Sequence, residues 1–463
     1  MGGEGHERAR AVEHGLRHAV QITGRPATKM ALAERMAYHG SPGVSIAVIR
    51  DGEVDWARGF GVAEAGRPDR VTADTRFQAG SISKPVAAMA ALHLVEDGVL
   101  NLDEGVNKKL KSWRVPDNEH TAREKVTLRR LLSHTAGLTV HGFPGYEPGA
   151  RVPTVPQILD GEEPANTDPV RVDMPPGSEW RYSGGGTTVM QQLVEDVTGE
   201  SFPDVVRDLV LEPVGMTRST FAQPLPEALR SVSASGHRLG GSVVPGKYHT
   251  YPEMAAAGLW TTPADLARLV IEVSRCHAGQ SSRVLSQAMA RQMLTPEAGA
   301  YGLGFGVDGA LFGHGGGNDG FIADLAMYVD GSAGAAIMTN GLGGMDLIPE
   351  IRRAIAAVHD WPHRGAEERD VATVDPATYA DYIGEYRPGG DGEDAMRVHR
   401  RDDALFVEHT DLGTFELHPE ADDTFFIAEY GSRLIFHRDG SGAVRELERN
   451  GHPFGGSRWP RVG

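Results

Sequence analysis

The period of the apolar residues changes along this chain, and that change limits the folds open to it. After Trp361 the stretch HRGAEERDVATVD is charged and without period. Beyond it, residues 396–399, 404–409, 414–418, 424–428, 433–437 and 444–449 alternate apolar with polar side chains, with Asp and Gly between the runs. Short runs of period two at spacings of about ten residues predict an antiparallel meander or a small barrel. Before Trp361 helical and strand-like periods are interleaved, which predicts an α/β (α+β) fold with an antiparallel sheet flanked by helices. The expected organisation is a mixed domain over 1–362, a linker at 363–373 and an all-β domain at 374–463.

Within the first domain, residues 5–38 carry two helical patterns broken around Gly24 and Pro26. The segment GVSIAVIRDGEVDWARGFGVA then reads as two strands joined by Asp51 and Gly52, the strongest short signal for a hairpin. From Ser83 to about Asp97, Val86, Met89, Ala90, Leu92, Leu94 and Val95 wrap most of a helix that Gly98 is placed to cap. Its apolar surface predicts a central position. Further helices are expected at 127–133, 187–199, 202–212, 263–277 and 285–294, and strands at 304–312, 322–329 and 334–339. Two long Pro- and Gly-rich connections, 141–179 and 222–254, are expected to shape a pocket.

Composition narrows the function. The 463 residues are 40% apolar and 24% charged, a balance suited to a chain that buries a core. The net charge of −17 repels a phosphate backbone, so nucleic acid is not an expected partner. No apolar run reaches the ~18 residues of a spanning helix, so no membrane is expected. The N-terminus lacks the apolar core of a secretory signal, and His6 stands where a myristoylation motif needs Ser or Thr. The expected location is cytoplasmic. The single cysteine, Cys276, lies in the periodic segment LARLVIEVSRC and reads as a packed structural thiol. His14 and His18 have metal-ligand spacing on a presumed helix face, but Gly15 replaces the glutamate of a zinc-protease motif, so no metal is expected. No complete dinucleotide or phosphate-loop pattern occurs, so no cofactor is expected, and the Gly-x-Ser-x-Gly elbow is missing.

One short segment can carry chemistry. Ser81 and Lys84 form Ser-x-x-Lys at the start of the central helix, followed by Pro85. An offset of three residues puts both side chains on one face, where the amine reaches the hydroxyl. The Ser81 N–H, at the positive end of the helix dipole, points to where an oxyanion would form. A solitary Ser-x-x-Lys is more often a capped helix start with a solvated lysine. Here, however, the chain has seven lysines against 39 arginines, and only Lys84 has a serine three residues before it. Working as a base near neutral pH requires its pKa to fall by roughly three units, which burial can supply. Tyr182, in WRYSGGG, is a candidate phenol that loses its proton beside the ammonium and relays it. His314, in FGHGGGNDGF, lies between two strand patterns, where the glycines would let a substrate backbone lie close.

Six ordered blocks between about residues 40 and 345 extend this picture: FQAGSISKPVAAMAALHLVEDGVLNLDEGV, LRRLLSHTAGL, PPGSEWRYSGGGTTVMQQLVEDVTG, LEPVGMTRSTF, AAGLWTTPADLARL and GHGGGNDGF. The chain resembles the serine β-lactamase and penicillin-binding-protein family in its class C-like branch, which includes esterases, D-aminopeptidases and transacylases. The resemblance implies acylation of Ser81 with Lys84 as its partner, Tyr182 in the Tyr-x-Asn position, and His314, Gly315 and Gly316 as the third element. The Gly317 N–H would then be the second oxyanion donor after that of Ser81. Gly184 stands where many members have an asparagine that grips a substrate amide, and His314 replaces a lysine that clamps a substrate carboxylate. Both departures turn the expectation away from β-lactams. The C-terminal domain is similar to the lipocalin-like modules of several branch members, through its strand spacing and YIGEYR. His134, in LLSHTAGL, is expected to pack or to hold a structural hydrogen bond.

The leading expectation is a serine acyl-enzyme hydrolase that cleaves an ester or amide of a small molecule or modified peptide. Acyl transfer to an amine or alcohol shares the first half-reaction and is the close alternative; a non-catalytic acyl-binding module is the more distant one. Assembly into a homo-oligomer is left open.

Overall fold

A computed structural model describes residues 3–362, 364–388, 394–410, 412–451 and 457–462. The chain divides into two compact units, residues 1–9 with 33–348, and residues 10–32 with 349–463.

The first unit is built on an antiparallel sheet. Strands β1 (Gly43–Arg50) and β2 (Glu53–Gly61) form the hairpin expected at Asp51-Gly52, whose φ angles of 52° and 73° suit a primed turn. Strands β3 (Gly306–Asp308), β4 (Leu311–Asn318), β5 (Phe321–Tyr328) and β6 (Ala333–Thr339) complete the spatial order β2-β1-β6-β5-β4-β3. The expected single strand at 304–312 is therefore two strands with a turn at Gly309, where φ is 59°. The histidine–glycine run, expected between strands, is itself strand: His314 pairs with Leu325 and Gly317 with Ile322.

Between β2 and β3 lies the helical part of the unit. Helix α1 (Ser83–Glu96) has Val86 through Leu92 at 0% exposure, and so sits in the core as its all-round apolar surface requires. A 3₁₀ turn, Gly80–Ile82, precedes it, so Ser81 lies in that turn and not on the α-helix. Helix α2 (Gly184–Thr198) starts at Ser183, whose Oγ accepts the Gly186 N–H, and ends at Gly199 with φ 74°. A single-turn helix, α3 (Met254–Ala257), precedes α4 (Pro263–Ala278), which is capped by Thr262 and packs on β1 and β6. Cys276 is buried in α4 with Sγ 3.4 Å from Glu272 Oε1. The helix expected over 202–212 is interrupted after Val206 by a wider turn at Arg207–Leu211.

The second unit contains a closed barrel of eight antiparallel strands running from Gly384–Tyr386 to Ser457–Val462. Its interior holds Tyr386, Val398, Leu405, Val407, Phe425, Leu434 and Leu447, each at most 1% exposed. A short strand, Val20–Ile22, pairs in parallel with Glu367–Arg369 in the same unit. The N-terminal helix ends at Glu13, so His14 and His18 do not share the helix face their spacing suggested. No helix among the described residues is long and apolar enough to cross a membrane.

Candidate active site

The turn that carries Ser81 is fixed from three sides. The buried Ser83 Oγ donates to the Gly80 carbonyl at 2.6 Å and accepts the Leu259 N–H at 3.0 Å. Residues Phe77–Gln78 pair with Trp260–Thr261, which brings α3 against the start of α1. Asn318, at the end of β4, donates to Gln78 Oε1 and to the Ala257 carbonyl, both at 3.0 Å. A serine displayed on a turn held this way needs no reorganisation when it reacts.

The glycines of β4 have a steric explanation. A Cβ on Gly316 would lie 1.9 Å from the Ala79 carbonyl oxygen, and one on Gly80, where φ is 51°, would lie 2.5 Å from the Gly317 nitrogen. Strand and turn thus pack backbone against backbone, and the Gly317 amide comes to rest beside the residue that precedes Ser81. Substituting Gly316→Ala forces the two apart. The expected outcome is a loss of about 2–4 kcal/mol in denaturant unfolding. A variant with wild-type stability would contradict this packing argument.

Lys84 Nζ stands 3.0 Å from Ser81 Oγ and donates to the Ala256 carbonyl at 2.9 Å. Its side chain is buried, and desolvation brings its pKa down to about 7, so the neutral amine is well populated near neutral pH. Tyr182 lies alongside, with its ring centroid 4.8 Å from Nζ. Burial pushes its phenol up to about 12, against a smaller opposite effect of its hydrogen bond with Ser81. The expected phenolate is therefore not favoured, because the cost of an anion in this wall exceeds the gain from the nearby ammonium. Tyr182 is a neutral hydroxyl that gives or takes a hydrogen bond at Ser81.

The His314 ring lies 6.1 Å from that of Tyr182, centroid to centroid. Its Nδ1 is 2.5 Å from the Gly315 carbonyl and its Nε2 is 3.0 Å from the Tyr301 hydroxyl. A carbonyl only accepts, so Nδ1 carries the proton; the Tyr301 hydroxyl beside Nε2 also donates to the Gly304 carbonyl at 3.1 Å, so its one proton is shared between two acceptors. Desolvation first, then the Lys84 charge, lowers the His314 pKa to about 4. This wall is thus neutral, with both imidazole nitrogens engaged, and cannot act as a cationic clamp for a carboxylate.

Several contributors were not found from the sequence. Tyr301 is buried and holds His314. The Ala256 carbonyl anchors Lys84. His134, by contrast, was expected to pack or to hold a structural hydrogen bond and does both: its Nδ1 accepts the Ser183 N–H at 3.2 Å and its ring lies 4.3 Å from that of Tyr182, while burial drives its pKa well down. His141 lies 4.9 Å from the same ring on its outer side. Trp180, Tyr182, Ala300, Tyr301 and His314 line a cavity of about 510 Å³ beside Ser81's neighbours. Gly184 begins α2 without a side chain, while Gly315 and Gly317 are exposed along β4.

Fold and site together define a serine-hydrolase-like protein of the β-lactamase/transpeptidase architecture. A sequence profile described as Beta-lactamase matches residues 29–360. Penicillin-binding protein 4 of Amycolatopsis lactamdurans is 31% identical over 331 residues, which span 65% of this chain and 82% of that protein. Esterase EstB of Burkholderia gladioli is 30% identical over 291 residues, 56% of this chain and 72% of that one. In structure, the octameric penicillin-binding protein homologue from Pyrococcus abyssi is similar with a TM-score of 0.59 at 22% identity, over 92% of this chain and 98% of that one. The chain belongs to the beta-lactamase family.

Proposed function

We propose that the protein is a serine hydrolase that cleaves an ester or amide through an acyl group carried on Ser81. The observation that carries this reading is the 3.0 Å approach of a buried lysine, with its pKa near 7, to a hydroxyl on a braced turn. Neutral Lys84 takes the Ser81 proton as Oγ attacks the carbonyl carbon. The N–H groups of Ser81 and Gly317 stabilise the oxyanion. The proton held by Lys84 passes through the Tyr182 hydroxyl, which ends neutral, to the leaving alkoxide or amine; neutral Lys84 then takes a proton from the water that releases the acid and returns it to Ser81 Oγ. The Gly315 carbonyl fixes His314 in its Nδ1-protonated, neutral tautomer. The group that lies along β4 is therefore uncharged and apolar, matching a cavity walled by Trp180 and Tyr301. The esterase relative supports an ester as substrate.

The test is intact mass after exposure to a fluorophosphonate, with ester kinetics across pH. Wild type gains one adduct on Ser81 and Ser81→Ala gains none. The acylation rate rises with pH through about 7 as Lys84 loses its proton, and stays level until the Tyr182 phenol titrates near 12. An adduct that persists in Ser81→Ala, or a rate that falls as pH rises through 7, overturns the reading.

A further inference from the structure

The start of α2 meets the loop after His134 through three hydrogen bonds. Ser183 Oγ donates to the Thr139 carbonyl at 2.7 Å, the Gly185 N–H donates to Val140 at 3.0 Å, and the Gly184 N–H donates to His141 at 3.1 Å. They hold Val140, a β-branched residue, at a φ of 62°. That conformation is costly for such a side chain and persists only where its surroundings impose it. Its effect is to reverse the chain and lay the His141 imidazole against Tyr182, with ring centroids 4.9 Å apart. His141 is exposed.

The same closeness accounts for Gly184. A Cβ there would lie 3.0 Å from the His141 carbonyl and 3.0 Å from Phe143 Cε2. A side chain at position 184 would crowd this course of the loop, and the space beside Gly184 is taken by the His141 carbonyl and the Phe143 ring, with the His141 imidazole laid against Tyr182.

Resting on acylation of Ser81, we propose that His141 is the specificity-determining residue that hydrogen-bonds a polar acyl group, such as an amide two or three atoms from the scissile carbonyl, on the α2 side of the site. Its imidazole presents both a donor and an acceptor to that group, whereas the β4 side takes the apolar part of the substrate.

The experiment compares two activated esters of similar length on the full-length protein: N-acetylglycyl and hexanoyl nitrophenyl esters. The readout is the ratio of their kcat/KM values. In His141→Ala the ratio falls about tenfold, the size of one lost hydrogen bond, and in His141→Gln, which keeps a donor and an acceptor, it stays within about threefold of wild type. Fluorophosphonate labelling of Ser81 reports that each variant is folded, and His141→Ser takes the place of the alanine variant should that one fail to label. An unchanged ratio in the labelled short-chain variant overturns the proposal while leaving the hydrolase reading intact. A wild-type protein that does not label overturns both.

Discussion

Lys84→Met folds more stably than wild type at pH 6 and does not turn over esters. The methionine fills nearly the same volume and carries no charge to desolvate. Wild-type Lys84 has a pKa of about 7 when folded against about 10.4 when unfolded. Between these values the unfolded chain holds a proton that the folded chain lacks, so the burden on folding is greatest below pH 7 and disappears as pH rises toward 10.4. Part of the gain is offset, because the Ala256 carbonyl loses its donor. The net expectation is about 1–3 kcal/mol in the variant's favour at pH 6, narrowing steadily by pH 9. On the proposed mechanism ester turnover falls at least a thousandfold, since the variant removes the base proposed to serve Ser81. Urea unfolding at the two pH values and ester kinetics check both halves. A variant equally destabilised at both pH values would show that the lysine is not held neutral by burial.

Glu253→Gln shows the opposite dependence on pH. The carboxyl of Glu253 is fully buried, neither oxygen has a hydrogen-bond partner, and desolvation raises its pKa to about 8. Folded protein holds this proton up to pH 8 whereas the unfolded chain releases it near the ordinary 4.5. Stability conferred by the neutral carboxyl is therefore complete at low pH and is lost as pH rises through that interval, at up to ~1.4 kcal/mol per pH unit. Glutamine does not titrate, so the variant matches wild type near pH 5 and exceeds it by about 2–4 kcal/mol at pH 8. Denaturant midpoints at those two values decide it. A constant difference between the two proteins would show that Glu253 is ionised and paired throughout.

What the sequence disclosed depended on how far apart the interacting residues lie. Ser81 and Lys84 are one turn apart, so their contact follows from helix geometry, and the Asp51-Gly52 hairpin is equally local. The barrel strands announce themselves by alternation, and the structure adds Gly384–Tyr386 and Ser457–Val462 at its ends. The Ala256 carbonyl, Tyr301 and His141 carry no local sign, because each acquires its role by approaching a residue far away in sequence. Val20–Ile22 escaped notice for the same reason: three residues hold no period, and their partner is Glu367–Arg369. The glycines of β4 mislead in a different way. Glycine weakens an isolated strand, yet here it is what permits strand and turn to touch.

The central pairing of β1 with β6 has a consequence for how the protein is made. Ile46 lies opposite Ile337, so roughly 290 residues must leave the ribosome before the hairpin finds its neighbour. Until then a mostly apolar strand waits with an open edge, a state prone to aggregation that invites shelter by chaperones.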